Sequence, residues 1–195
     1  MLKSIKYNFA HLLDFRGRDG REVFWYYFLF VFLLNMAVGL VMVIPLMGEI
    51  MAGAMVAARN TDPAAVNAAM ATRMDEMLEP MFWFGVAIGL INVVLLAGAM
   101  TRRCHDSSLS GRWGLLPLGL QVAATWYGLM RTEQSRALMA QLLSGASDYE
   151  AAMRAQSELS AQSLLGWLPL LAIVALGIRK STPGPNRFGE PPFRF

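Results

Sequence analysis

The sequence contains few charged residues, a single cysteine and only two histidines among its 195 residues. Charged residues make up 16% of the chain and hydrophobic residues 55%, a balance typical of proteins that lie in a lipid bilayer. Cys104 has no second cysteine to pair with, which excludes an internal disulfide. The spaced pairs of cysteine and histidine that bind metals are missing too, so the sequence predicts no metal and no cofactor.

Four apolar runs predict one all-α integral membrane domain, a four-span transmembrane helix bundle with short extramembrane helices. The runs cover residues 23–47, 81–100, 113–130 and 163–178. A helix needs about 20 residues to cross a hydrocarbon core of about 30 Å. The third run contains Pro117 and could instead form a hairpin that enters one leaflet. The fourth is short, and Arg179 and Lys180 after it are groups that anchor a short span at the headgroups.

The positions of lysine and arginine predict how these spans are oriented. Most of the 17 basic residues lie in three segments, residues 1–22, 101–112 and 179–195. Positively charged segments stay on the cytoplasmic side, so both termini and the central loop are expected in the cytoplasm. Membrane topology alone therefore accounts for the net charge of +3, and nucleic acid is not an expected partner.

The segments outside the four runs also carry helical patterns. Residues 1–22 begin with apolar side chains at helical spacing, which indicates a short helix that either lies in the cytoplasmic interface or packs against the bundle. The outer loops, 48–80 and 131–162, are rich in alanine and are expected to form short helices outside the membrane, either separate from the spans or continuing them. In the first of them, Asp62 followed by Pro63 is a helix start.

Amide side chains lie near the middle of three predicted spans: Asn35, Asn92 and Gln121. An amide in hydrocarbon needs hydrogen-bond partners, so we expect all three to face the bundle interior and to bond across helices. No acid, lysine or arginine lies within the four apolar runs. This argues against a proton-coupled transporter or an ion pump, both of which normally use an ionisable residue inside the membrane.

Three short blocks, rich in arginine and glycine, flank the apolar runs. They read Phe15-Arg16-Gly17-Arg18-x-x-Arg21-x-x-Phe24-Trp25, Arg102-Arg103-x-His105-Asp106-x-x-x-Ser110-Gly111-x-Trp113 and Pro183-Gly184-Pro185-Asn186-Arg187-Phe188-Gly189-Glu190-Pro191. In this order the blocks resemble the signatures of the bacterial inner-membrane family called domain of unknown function 805. The resemblance implies a small multi-span protein of the inner (cytoplasmic) membrane with no established activity.

The central block has two interpretations, and the sequence leaves both open. In the structural one, Asp106 pairs with Arg102, Arg103 or an arginine of the first block, and a serine of the block caps the third span. In the functional one, the arginines bind a phosphate, from an anionic lipid headgroup or a soluble ligand. Cys104 and His105 are adjacent and lack a separate orienting group, so no catalytic residue is predicted.

The predicted topology brings the three blocks to one cytoplasmic face, where they should form a cluster that binds a ligand or stabilises the fold. Its expected members are Arg16, Arg18, Arg21, Trp25, Arg102, Arg103, His105, Asp106, Ser110, Gly111, Trp113, Asn186 and Arg187. The predicted function is a non-enzymatic membrane protein that organises anionic lipid or partner proteins through this basic cluster. A transporter or channel component is the alternative. Membrane lipids, a protein partner or a second copy of the chain are the expected partners.

Overall fold

The computed structural model describes residues 1–59, 63–143 and 149–192, and within these ranges the chain is helical with a single isolated bridge between Asn186 and Gly189. The helices, in chain order, are α1 (Leu2–Ala10), α2 (Arg21–Ala58), α3 (Pro63–Asp106), a 3₁₀ helix (Gly111–Leu115), α4 (Leu116–Met130), α5 (Thr132–Leu143), α6 (Tyr149–Leu165) and α7 (Leu168–Gly177). The all-α prediction is confirmed for this part of the chain.

Two of these helices contain segments long and apolar enough to cross a membrane. One is Arg21–Gly53, with a mean hydropathy of 2.6, and the other is Glu79–Asp106, with a mean hydropathy of 2.1. They contain the first two predicted spans, 23–47 and 81–100. The helix start predicted at Pro63 is present in α3, whereas its expected cap, Asp62, lies outside the described residues.

The third and fourth predicted spans take a different form from the one expected. The third run begins as the 3₁₀ helix and continues as α4, which has 15 residues. The fourth run, 163–178, is divided between the end of α6 and α7, which has 10 residues. Pro169 lies in the first turn of α7, where its missing N–H costs nothing, and a proline there favours a new helix start over continuation of α6. Four spans therefore stay a prediction.

The chain divides into two compact units. The first comprises residues 1–35, 88–125 and 166–195, and the second comprises 36–87 and 126–165. The first unit has a buried apolar core drawn from α2, α3, α4 and α7, formed by Phe24, Tyr27, Val31, Leu96, Ala97, Ala99, Met100, Leu118 and Ile173. Its α2 members are spaced three and four residues apart, so they share one face of that helix.

Close backbone approach in the first unit depends on glycine. A Cβ on Gly114 would lie 2.8 Å from the Thr101 backbone nitrogen, and one on Gly98 would lie 2.4 Å from the Leu12 carbonyl oxygen. Both distances are shorter than packed atoms tolerate, so the 3₁₀ helix and the segment after α1 reach α3 only because these positions lack a side chain.

Two described side-chain contacts of the second unit join different helices. The Gln134 amide donates to Glu158 across α5 and α6 at 3.2 Å, and Arg136 pairs with Glu79 of α3 at 3.4 Å. The short helices expected in the outer loop 131–162 are present as α5 and α6, whereas residues 48–58 continue α2 and residues 63–80 belong to α3.

Candidate functional site

Asp106, the last residue of α3, is the centre of a buried ion cluster. Arg18 Nη2 donates to one carboxylate oxygen at 3.1 Å, and Arg103 Nη1 donates to the other at 2.7 Å. All three side chains are fully buried. Asp106 thus has two arginine partners, one from the first block and one from the central block, as in the structural interpretation of the sequence.

Arg102 belongs to a second buried ion pair, with Asp19 rather than Asp106. Its Nε donates to Asp19 Oδ2 at 2.9 Å, and both side chains are 1% exposed. Burial raises the pKa of the Asp19 carboxyl, and the Arg102 guanidinium opposes that shift. A hydrogen bond from Tyr7 also lowers the pKa of Asp19, and burial raises the pKa of the Tyr7 hydroxyl itself.

The remaining donors of Arg102 bind the N-terminal segment. Nη2 donates to Asn8 Oδ1 at 2.7 Å, and Nη1 donates to the backbone carbonyls of His11, at 2.7 Å, and of Asp14. One guanidinium therefore connects the end of α3 to α1 and to the turn that follows it. Asp19, Asn8 and Tyr7 were absent from the predicted site. The one available signal was that Asp19 is one of two acids within the first block, the other being Glu22.

The tail after α7 binds the same cluster through its backbone. Arg18 donates to the carbonyls of Thr182, at 2.8 Å, and Gly184, at 2.8 Å, while the Thr182 amide donates to the Asp106 carbonyl at 2.8 Å. Arg103 donates through Nε to the Gly177 carbonyl at 3.1 Å, at the end of α7. The last carbonyls of a helix have no partner within it, so Arg103 satisfies one of these acceptors.

His105 fixes the third block against the central one. Its ring stacks on Phe188 with the ring centres 3.9 Å apart, and its Nδ1 lies 3.1 Å from the Gly17 carbonyl. The Asn186 amide donates to the His105 carbonyl at 3.0 Å. A Cβ on Gly111 would lie 2.8 Å from His105 Nε2, so glycine at this position leaves room for the imidazole.

Other predicted members of the cluster lie at its surface. Arg16, Arg21 and Arg187 are exposed, as is Trp113, which keeps 53% of its surface accessible. Ser110 caps the 3₁₀ helix by accepting from the Arg112 amide at 3.5 Å.

Trp25 is half-buried, and its indole packs edge-on against Phe24 and Phe28. The predicted site thus separates into a buried ion cluster and an exposed basic rim, with Trp25 among the aromatic packing of α2.

The mid-span amides behave as predicted in two of three cases. Asn35 and Asn92 form a reciprocal pair between α2 and α3, with N–O distances of 2.9 and 3.0 Å. Gln121 lies in α4 opposite Gly89, whose added Cβ would be 3.1 Å from the Gln121 amide nitrogen. The described residues show no hydrogen bond from the Gln121 side chain to another helix, so the expected bonding across helices is seen for the two asparagines and not for Gln121.

The charged side chains of the buried cluster bond to one another and to the protein backbone. The two carboxylates are occupied by guanidinium groups, and most guanidinium donors are occupied by carbonyls of three distant segments. In the part of the chain that the structure describes, no group of three or more His, Cys, Asp or Glu side chains is placed to hold a metal ion. The arrangement therefore favours the structural interpretation of Arg18, Arg102 and Arg103.

A family model described as a protein of unknown function (DUF805) matches residues 12–190. The match includes the first two blocks, the third block up to Glu190, and the charged members of the ion cluster, which are Arg18, Asp19, Arg102, Arg103 and Asp106. No curated protein and no solved structure matches the chain.

Proposed function

This chain belongs to the DUF805 family, whose function is uncharacterised, and we propose that it is a non-enzymatic protein of the bacterial inner membrane that holds anionic lipid at an exposed basic rim around its buried ion cluster. The rim is formed by cations on the three segments that the cluster joins, namely Arg16, Arg21, Arg112, Arg179, Lys180 and Arg187.

Exposure of the apolar helices supports placement in a membrane. Only 6% of the apolar 18-residue segment within Arg21–Gly53 is buried in the protein, and 22% of the corresponding segment within Glu79–Asp106. The core helix of a soluble protein would be mostly buried, and soluble monomers rarely expose so large an apolar surface to water. Arg21–Gly53 is 33 residues long, far beyond the roughly 7–15 apolar residues of a signal peptide. Lipid is the environment that such a surface fits. We propose that the chain crosses the membrane four times, with both termini in the cytoplasm.

Burial decides which cations are available to a headgroup. Arg102 and Arg103 are at most 1% exposed and are bonded within the protein, so a phosphate could reach them only after those bonds were broken. Arg112 and Lys180 are exposed, and both belong to segments fixed by the cluster. A basic residue near an anionic leaflet contributes about 1 kcal/mol to binding. The rim, rather than the buried arginines, carries the proposed lipid contact.

Apolar surface next to the rim suits the acyl part of a lipid. Arg112 lines an open groove of about 630 Å³ together with Trp113, Leu115 and Leu116. The three apolar side chains keep between 45% and 53% of their surface exposed. Tryptophan beside arginine is the combination that membrane proteins place at the headgroup level. The observation that carries the proposal is this pairing of exposed cations with exposed apolar side chains.

The test compares two variants of equal charge. The whole chain is purified in mild detergent, and anionic phospholipid bound per chain is measured. Arg112→Gln with Lys180→Gln should weaken anionic lipid binding by about thirtyfold, from about 1 kcal/mol for each lost cation. Arg59→Gln with Arg154→Gln removes the same charge from two exposed positions of the other unit and should leave bound lipid unchanged.

Two results would contradict the proposal. Equal loss of anionic lipid from both variants would mean that total charge, and not the rim, determines binding. If both variants bound as much anionic lipid as the unchanged protein, the rim would have no role in holding lipid.

A further inference from the structure

Helix α1 turns its polar side inward and its apolar side outward. Ser4 and Asn8, one turn apart, are each 1% exposed. Leu2 is 74% exposed and Phe9 42%, and Leu13 in the turn after the helix is 71% exposed. An amphipathic helix on a protein in water packs the other way, with its apolar stripe against the core.

The buried guanidinium of Arg102 accounts for this orientation. A buried charge must be surrounded by acceptors, and the N-terminal segment provides three: Asn8 Oδ1 and the carbonyls of His11 and Asp14. The Asn8 amide in turn donates to the Ser4 carbonyl at 2.9 Å, which holds the polar face together. Since these bonds fix the rotation of α1 about its axis, the apolar face can only point away from the ion cluster.

The outward face of α1 is continuous with the exposed surface of a candidate span. The Phe9 ring lies edge-on to Tyr27 and Phe30 of α2, with ring centres 5.9 Å away in both cases. Leu29 and Leu33, which flank Phe30 along α2, are 44% and 48% exposed. Whatever covers this part of α2 therefore also meets Phe9.

The charge on α1 is complementary to a covering surface that is anionic at its edge. Lys3 and Lys6 are exposed and follow one another along a third face of α1, between the apolar face and the buried one. Apolar side chains beside a row of lysines form the pattern of helices that lie in the headgroup layer of anionic membranes.

We propose that α1 lies in the headgroup layer of the membrane, with Leu2, Phe9 and Leu13 in contact with lipid and with Arg102 as the positioning residue that sets its rotation. This rests on the proposed function in one respect, because it requires α2 to be in the bilayer. The occupant of the outward face is lipid, and not a second copy of the chain.

The experiment uses the full chain in vesicles of mixed neutral and anionic phospholipid. Single cysteines replace Leu2, Leu13, Ala10 and Leu33 in turn on a Cys104→Ser background, and each carries an environment-sensitive fluorophore. Ala10 is exposed on the lysine side of α1 and is the matched control, while Leu33 reports on α2. Labels at 2 and 13 should be quenched by a bilayer-embedded quencher and protected from aqueous iodide, whereas the label at 10 should be quenched by iodide.

The outcomes separate this inference from the proposed function. Iodide quenching at 2 and 13 equal to that at 10, with Leu33→Cys protected, would overturn the placement of α1 while leaving α2 in the bilayer. Iodide quenching of all four labels would overturn membrane placement as a whole. Protection of Leu2→Cys that is lost when the protein is diluted with lipid would assign the face to a second copy and overturn the lipid contact.

The role of Arg102 is tested from the α1 side, which avoids unpairing Asp19. Asn8→Ala removes an acceptor of Arg102 and should raise iodide quenching of the label at residue 2 toward the level at residue 10. Ser4→Ala, equally buried on the same face but without a described side-chain bond to Arg102, should leave quenching unchanged. Equal quenching in both variants would overturn the positioning role.

Discussion

Two helical ion pairs of similar spacing have opposite surroundings in the two compact units. In the first unit Arg103 and Asp106 are three residues apart, 2.7 Å from each other and fully buried. In the second unit Arg154 and Glu150 are four residues apart and 3.3 Å from each other, with 79% and 75% of their side chains exposed. Local sequence spacing permits both pairs, but only the first is part of a network that joins distant segments of the chain.

The difference determines what each pair contributes. An exposed pair exchanges bonds with water and is screened by salt, so it contributes about 0–1 kcal/mol. A buried pair contributes little net stability when intact, yet removal of one partner strands an unpaired charge. Asp106 has two guanidinium partners, and both of them also bond to the tail, Arg18 at the Thr182 carbonyl and Arg103 at the Arg179 carbonyl. The buried cluster therefore specifies which segments of the chain meet, whereas the exposed pair joins two residues of the same helix, α6.

The largest expected effect on stability comes from removing the acid of the buried ion cluster. Asp106→Ala leaves Arg18 and Arg103 buried, unpaired and mutually repelling, and should lower the free energy of unfolding by about 3–5 kcal/mol. Glu150→Ala, which breaks the exposed pair, should lower it by less than about 1 kcal/mol. Thermal unfolding in one detergent measures both.

The same two variants also test whether the cluster holds the tail. Loss of Asp106 should release residues 182–189, so limited proteolysis should cleave there first in Asp106→Ala and not in Glu150→Ala. Similar melting temperatures for the two variants would show that the buried network does not determine the stability of the first unit.

A smaller effect is expected for a part-buried pair of uncharged side chains. Asn35 and Asn92 share two hydrogen bonds between α2 and α3. Interhelical bonds of this kind average about 0.6 kcal/mol and reach about 1.7 kcal/mol, because alternative partners exist in the membrane. A double-mutant cycle with Asn35→Leu and Asn92→Leu should give a coupling energy in this range. The matched cycle of Asn35→Leu with Gln121→Leu should give none, and equal coupling in both cycles would contradict the pairing.

The sequence predicted those features that follow from composition and from the cost of burying polar groups. Two long apolar runs identified α2 and α3, and amides at mid-span identified the pair formed by Asn35 and Asn92. The resemblance of three blocks to one family was confirmed over residues 12–190. These features depend on chain length, polarity and motif order, which are all readable without a structure.

The partner of each arginine could not be predicted. Arg102 and Arg103 are adjacent in α3, so their side chains leave the helix about 100° apart. One therefore meets Asp19 and α1, while the other meets Asp106 and the tail, and the rotation of α3 decides which. The division of the fourth run before Pro169 likewise depends on how the chain enters α7, which hydropathy alone does not encode.

The smallest effect on stability is expected for two cysteine variants that test the orientation of the protein in the membrane. Ala151→Cys and Ser181→Cys, each on a Cys104→Ser background, replace small side chains by one of similar size and should leave unfolding nearly unchanged. Residue 151 lies in the predicted outer loop 131–162, whereas residue 181 follows Arg179 and Lys180, which positive-inside bias keeps in the cytoplasm. A membrane-impermeant thiol reagent should therefore label Ala151→Cys in intact cells and label Ser181→Cys only after permeabilisation. Labelling of Ser181→Cys from outside would place the ion cluster, the rim and α1 on the other face of the membrane, since the tail is bonded directly to Arg18.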